Sequence, residues 1–127
     1  MWNSNYETIF LKLSLPKGKF DFSTDKIVRM ESRSNYTYIY FTDRKPILTP
    51  KVLKSFEKVL RPCGFLRTHQ SHLVNRKFIT NISKGLVGAS LVMEDDSHVQ
   101  ISKRKKKEVF AMLNDTQVSL TPVLNHI

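Results

Sequence analysis

The feature that most constrains this fold is a succession of short β-prone runs, each cut off by a turn signal, along most of the chain. Residues 9–15 alternate apolar and polar side chains in part. Pro16-Lys17-Gly18-Lys19 then turns the chain into Phe20 and Phe22, which predicts a hairpin. Strands are expected over 27–31 and 36–42, the second rich in β-branched and aromatic residues, with the polar loop Ser32–Asn35 between them. Asp43–Pro46 makes a turn into Ile47 and Leu48. Further strands are expected at 65–68, 78–83 and 86–94, the last pairing across 95–97 with 99–101 as a hairpin does.

Helical spacing occurs at two places. Val52, Leu53, Phe56, Val59 and Leu60 line one face, with Thr49-Pro50 as N-cap and first-turn proline ahead of them and Pro62-Cys63-Gly64 as the stop. A closing helix is expected from about 103 to 113, burying Val109, Phe110 and Leu113. Residues 114–127 show weak periodicity and contain Pro122, so they read as a tail after one domain spanning 1–113. No repeat or low-complexity linker divides the chain. The fold class is therefore mostly β with one or two short helices.

Charge narrows the function. Among 127 residues, 21 Lys and Arg stand against 11 Asp and Glu, a net +10. A domain this basic meets an anionic partner, either nucleic acid or a membrane surface, the plain alternative being charge that only maintains solubility. No apolar run approaches the roughly 18 residues that span a bilayer, and the first residues lack a secretory signal pattern. The lone Cys63 excludes an internal disulfide and a cysteine-rich zinc site. A reducing, cytoplasmic setting is the expectation, with no cofactor, no metal and no membrane partner.

Two segments carry the chemistry. Residues 65–78 interleave Phe65, Leu66, Leu73, Val74 and Phe78 with Arg67, His69, Gln70, Asn75, Arg76 and Lys77. Arg and Gln can each meet a base edge with two hydrogen bonds. In Ser102–Glu108, Ser102 is a natural N-cap, yet Lys105 stands where a capping box places Glu or Gln. Cations in that turn oppose the helix macrodipole. Exposed amides, positive dipole and Lys side chains together make a phosphate-binding end, set against the plainer reading of a solvated basic run or an import signal.

Catalytic readings are weaker. His69 and His72 lack a companion Cys or carboxylate cluster, with His72 expected partly buried and His69 outward. Asp95 and Asp96 sit in a turn that favours Asp for backbone reasons, and Ser71 beside His72 has no implied triad geometry. Tyr36, Tyr38 and Tyr40 alternate and share a face, which either stacks single-stranded bases or packs on the core. Core packing is the simpler expectation.

The segments Glu31–Thr37 (ESRSNYT), Phe65–Asn75 (FLRTHQSHLVN) and Ile101–Lys107 (ISKRKKK) occur in an order and spacing that resemble the LytTR DNA-binding domain of bacterial transcription regulators, over about residues 9–113. The resemblance implies a compact, mostly antiparallel β architecture without a helix-turn-helix, reading double-stranded DNA through loops in successive major grooves and often bending it. It implies base or backbone contacts from Arg33, Asn35, Tyr36 and Thr37 in a first loop, and from His69 and Gln70 in a second. Arg104 matches the base-reading Arg of a third. Ser102, Lys103, Lys105 and Lys107 are implied at phosphates, together with Arg67, Ser71 and Asn75, the last matching a Val-Asn signature that also suits a structural role. A homodimer on paired repeats is a further implication. Relatives often carry a receiver domain ahead of this one, for which the chain has no room, so it is expected to be a stand-alone regulator or a part of a longer protein. The alternatives are an RNA or single-strand binder using the tyrosine strand and a module for acidic proteins or lipid surfaces. For DNA reading, Arg33, His69 and Arg104 must stand on one side of the scaffold.

Overall fold

The computed structural model describes residues 6–85, 88–114 and 121–124. The chain opens with a hairpin, β1 (Phe10–Leu15) against β2 (Gly18–Ser23), turning at Gly18, whose φ of +135° suits a residue without Cβ. Next come β3 (Ile27–Arg33), β4 (Tyr36–Phe41) and β5 (Ile47–Thr49), then α1 (Leu53–Leu60), β6 (Phe65–His69) and β7 (His72–Asn75). These strands form a central five-stranded sheet in the order β5-β4-β3-β7-β6. A third sheet holds β8 (Ile79–Lys84), β9 (Ala89–Met93) and β10 (His98–Ile101), which α2 (Lys106–Asn114) follows.

The central sheet buries side chains on both faces. On one face Met30, Ile39, Phe65 and Leu73 pack with Leu13 and Phe22 of the hairpin and Phe56 and Leu60 of α1. On the other, Val28, Leu66 and Val74 pack with Leu91, Met93 and Val99 of the third sheet and Val109 and Leu113 of α2. Successive residues point to opposite faces, so the adjacent pairs Phe65-Leu66 and Leu73-Val74 each feed both cores. This sandwiching makes the strand ends rigid platforms for the turns between them.

Several elements depart from the sequence reading. Residues 72–75 form a strand that no alternation announced, because both Leu73 and Val74 are buried. α1 starts at Leu53 rather than after Thr49-Pro50. Thr49 belongs to β5, where it pairs with Thr37, and Val52 caps the helix without a side-chain bond. Phe78 lies in a 3-10 turn ahead of β8, and α2 begins at Lys106 after a turn. Residues 121–124 of the expected tail form β11 (Thr121–Leu124), parallel to β8 at the sheet edge, the strand position in which a proline is tolerated. The start of the strand expected at 86 lies outside the described residues, as do 115–120 and 125–127. Among the described residues, no helix is long and apolar enough to cross a membrane.

Candidate nucleic-acid interface

Three turns meet at one end of the central sheet. β3 is antiparallel to both β4 and β7, with Glu31 opposite Tyr38 on one side and His72 on the other. The β3–β4 and β6–β7 turns therefore leave at the same end, where the Ser32 amide donates to the Ser71 carbonyl at 2.9 Å. The third turn, between β10 and α2, is tied to the second by a bulge. Thr68 has no partner in the β6–β7 register and is fully buried. Its hydroxyl donates to the Gln100 carbonyl at 3.1 Å, and its carbonyl accepts from the Ser102 amide at 2.9 Å.

Arg67 builds the second turn. Its Nε donates to the His69 carbonyl (2.9 Å), Nη2 to the Gln70 carbonyl (2.6 Å) and Nη1 to Glu57 Oε1 of α1 (2.5 Å). The planar guanidinium supplies these donors in a fixed fork. Glu57 also accepts from Arg61 at 2.9 Å. His69 Nδ1 accepts from the Ser71 amide at 3.0 Å, so a neutral His69 carries its proton on Nε2 as a donor. His72 packs on His69 with ring centroids 5.4 Å apart. Burial pushes the His72 imidazole pKa down, with Glu31 opposing and the charges of His69 and Arg29 adding to the effect.

The first turn is braced from the strand face beside it. Arg29 and Arg33 flank Glu31, at 3.0 and 3.1 Å, and their guanidinium carbons lie 3.8 and 4.8 Å from the ring centres of Tyr40 and Tyr38. Partial burial raises the Glu31 carboxyl, but the bonds from Arg29 and Arg33 outweigh it and hold the group below the usual carboxylate range. The tyrosines point away from the core: Thr37 and Ile39 between them are the fully buried residues of β4. The simpler expectation, that Tyr36, Tyr38 and Tyr40 pack inward, is therefore reversed. Ser34 adopts φ +56°, and Ser34, Asn35 and Tyr36 are exposed at the tip.

In the third turn the Ser102 hydroxyl accepts from the Lys105 amide at 3.2 Å, and the Lys105 carbonyl accepts the first helical bond from Val109. Lys103, Arg104 and Lys107 are exposed; Ser102 and Lys105 are half-buried, with Lys105 Nζ 3.8 Å from Glu108. A cleft of about 650 Å³ separates this turn from α1. Lys54, Glu57, Arg67, His69, Gln70 and Arg104 face it.

The structure thus gathers Arg33, Asn35, Tyr36, His69, Gln70, Ser71, Ser102, Lys103, Arg104, Lys105 and Lys107 around one edge, and it ties three other residues into the fold. Thr37 is fully buried, its hydroxyl donating to the Lys51 carbonyl at 2.7 Å. Arg67 donates to two carbonyls of the second turn and to Glu57 of α1. Asn75 is 3% exposed: its amide donates to the Thr24 and Ile27 carbonyls at 3.2 and 2.9 Å, and its oxygen accepts from the Lys77 amide. Asn75→Ala would strand these buried groups and should cost about 1–3 kcal/mol of stability. A lowered denaturant midpoint with unaltered ligand preference is the expected readout, and wild-type stability refutes the structural role. Lys54 and Glu57 escaped the sequence reading because the docking of α1 beside the second turn has no local signal.

Comparison with known proteins places these features in a family. The family model described as the LytTr DNA-binding domain matches residues 18–114. Among solved structures, a LytTr DNA-binding domain from Bacillus cereus superposes with a TM-score of 0.71 at 22% identity, covering 82% of this chain and 95% of that one. At that identity the likeness speaks for the fold. No curated protein matches the chain.

Proposed function

Because the chain belongs to the LytTR family of DNA-binding domains, we propose that it binds double-stranded DNA sequence-specifically in transcription regulation, with its three turns entering successive grooves. The observation that carries this reading is the joining of the turns: Ser32 to Ser71, and Thr68 to Ser102, by backbone hydrogen bonds. A net charge of +10 supplies the long-range attraction.

Labour divides by chemistry. Arg104, Gln70 and Asn35 carry side chains that discriminate base edges, whereas Lys103, Lys105 and Lys107 add affinity by releasing counterions from phosphates. Lys107→Ala should weaken all duplexes alike and lower the slope of log affinity against log salt by about one unit. An unchanged slope removes Lys107 from the interface. Two copies on paired repeats are part of the proposal, to be read from the footprint length. The single-strand reading is the weaker one, because the rings of Tyr38 and Tyr40 already carry guanidinium groups. Selection of bound duplexes from a random pool, with RNA and single strands as competitors, tests the whole: a recurrent motif resisting competition is expected, and binding without sequence preference refutes it.

A further inference from the structure

We propose that the chain carries a second phosphodiester-binding cleft, on the opposite side of the Ser102–Lys105 turn from the cleft beside α1, which seats the DNA backbone flanking the bases met by Arg104. It rests on the reading of this edge as a DNA interface. The cleft has a volume of about 640 Å³ and lies between the third turn and the outer face of the third sheet. His69 and Ser102 line both clefts, so the third turn is a ridge with a hollow on each side.

The lining follows from strand alternation. Val99 and Ile101 of β10 point into the core, so His98 and Gln100 stand outward. Gln100 pairs with Ser90 of β9, which sets a hydroxyl beside the amide on the outer face, while Ser83 opposite Ser90 on β8 is buried beneath them. Lys103 and Lys106 stand at the turn end of this row, and among the described residues no carboxylate lines the cleft. Gly88 leaves open space where a Cβ would stand, so a backbone can approach closely.

Neutral donors and ammonium groups without a competing carboxylate suit a ligand that is anionic and made of acceptor oxygens. A phosphodiester is such a ligand, and it is met through side-chain hydroxyls, amides and Lys rather than through base edges. At the far end of β10, the turn carrying Glu94, Asp95 and Asp96 ends the favourable track. The cleft therefore accepts a short stretch of one strand beside the ridge, and its occupant contributes affinity without sequence preference.

The test uses the full chain and a duplex that the wild-type chain selects from a random pool. Gln100→Glu places a carboxylate in the row at an exposed position, and Ser14→Glu places one on the distant hairpin as a control of equal charge. Gln100→Glu should bind about tenfold more weakly than Ser14→Glu on selected and scrambled duplexes alike. It should also lose hydroxyl-radical protection on one strand flanking the site altered by Arg104→Ala. Lys106→Ala should lower the salt slope by about 0.9. If Gln100→Glu binds and footprints as Ser14→Glu does, the second cleft is not a backbone site, while loss of base preference in Arg104→Ala leaves DNA reading standing. A wild-type chain that selects no duplex overturns both.

Discussion

Arg104→Ala should level the chain's preference among duplexes while leaving its folding unchanged. The side chain is exposed at the tip of the third turn and makes no hydrogen bond or ion pair among the described residues. None of the described residues loses a hydrogen bond or ion pair when it is removed. A bidentate Arg–guanine contact contributes about 1–3 kcal/mol of discrimination, which corresponds to roughly 5-fold to 150-fold between matched and mismatched sites. Competition binding between the selected duplex and single-base variants measures this directly. The loss should be confined to one or two base positions, since a phosphate-contacting Arg weakens every sequence alike. Intact discrimination at all positions removes Arg104 from base reading.

Arg67→Ala should have the broader effect, because the guanidinium holds the second turn from inside. The His69 and Gln70 carbonyls lose their donors, and Glu57, whose side chain is 19% exposed, loses its closest cation. Stability should fall by about 1–3 kcal/mol. Affinity for the selected duplex should fall at least as much as in Arg104→Ala, since the turn that presents His69 and Gln70 is no longer fixed. Arg67→Lys should rescue little: one ammonium cannot supply three donors in a planar fork. A double-mutant cycle with Glu57→Gln separates this positioning role from a direct DNA contact. Coupling of about 0.5–3 kcal/mol in the free protein is expected, and additive effects would place Arg67 at the ligand instead.

The contrast between Arg67 and Arg104 shows how far the sequence can be read. Both are arginines within family motifs, and nothing local distinguishes a side chain that faces a ligand from one that builds the loop. Only the destination of each donor does. Thr37 and Asn75 went the same way: polar residues in motif positions whose hydrogen bonds close on Lys51, Thr24 and Ile27. β1, β4 and β10 were legible because one face of each is buried and the pattern alternates. β7 was not, since burial of both Leu73 and Val74 erases the alternation. The start of α1 was displaced because pairing of Thr49 with Thr37 claims the residue that would otherwise cap it. The mostly β class, the two helices and the three polar turns were all visible in the chain. That the turns share an edge depends on the β3–β7 pairing and the Thr68 bulge, which are tertiary facts.

The most direct examination of that shared edge is a titration of isotope-labelled protein with a selected duplex, followed by amide chemical shifts. Signals of Ser32–Tyr36, His69–Ser71 and Ser102–Lys106 should move together and saturate at one common ratio of protein to DNA, with the β1–β2 hairpin unaffected. Shifts in one turn alone, or centred on the hairpin, are incompatible with a single DNA-reading edge built from three turns.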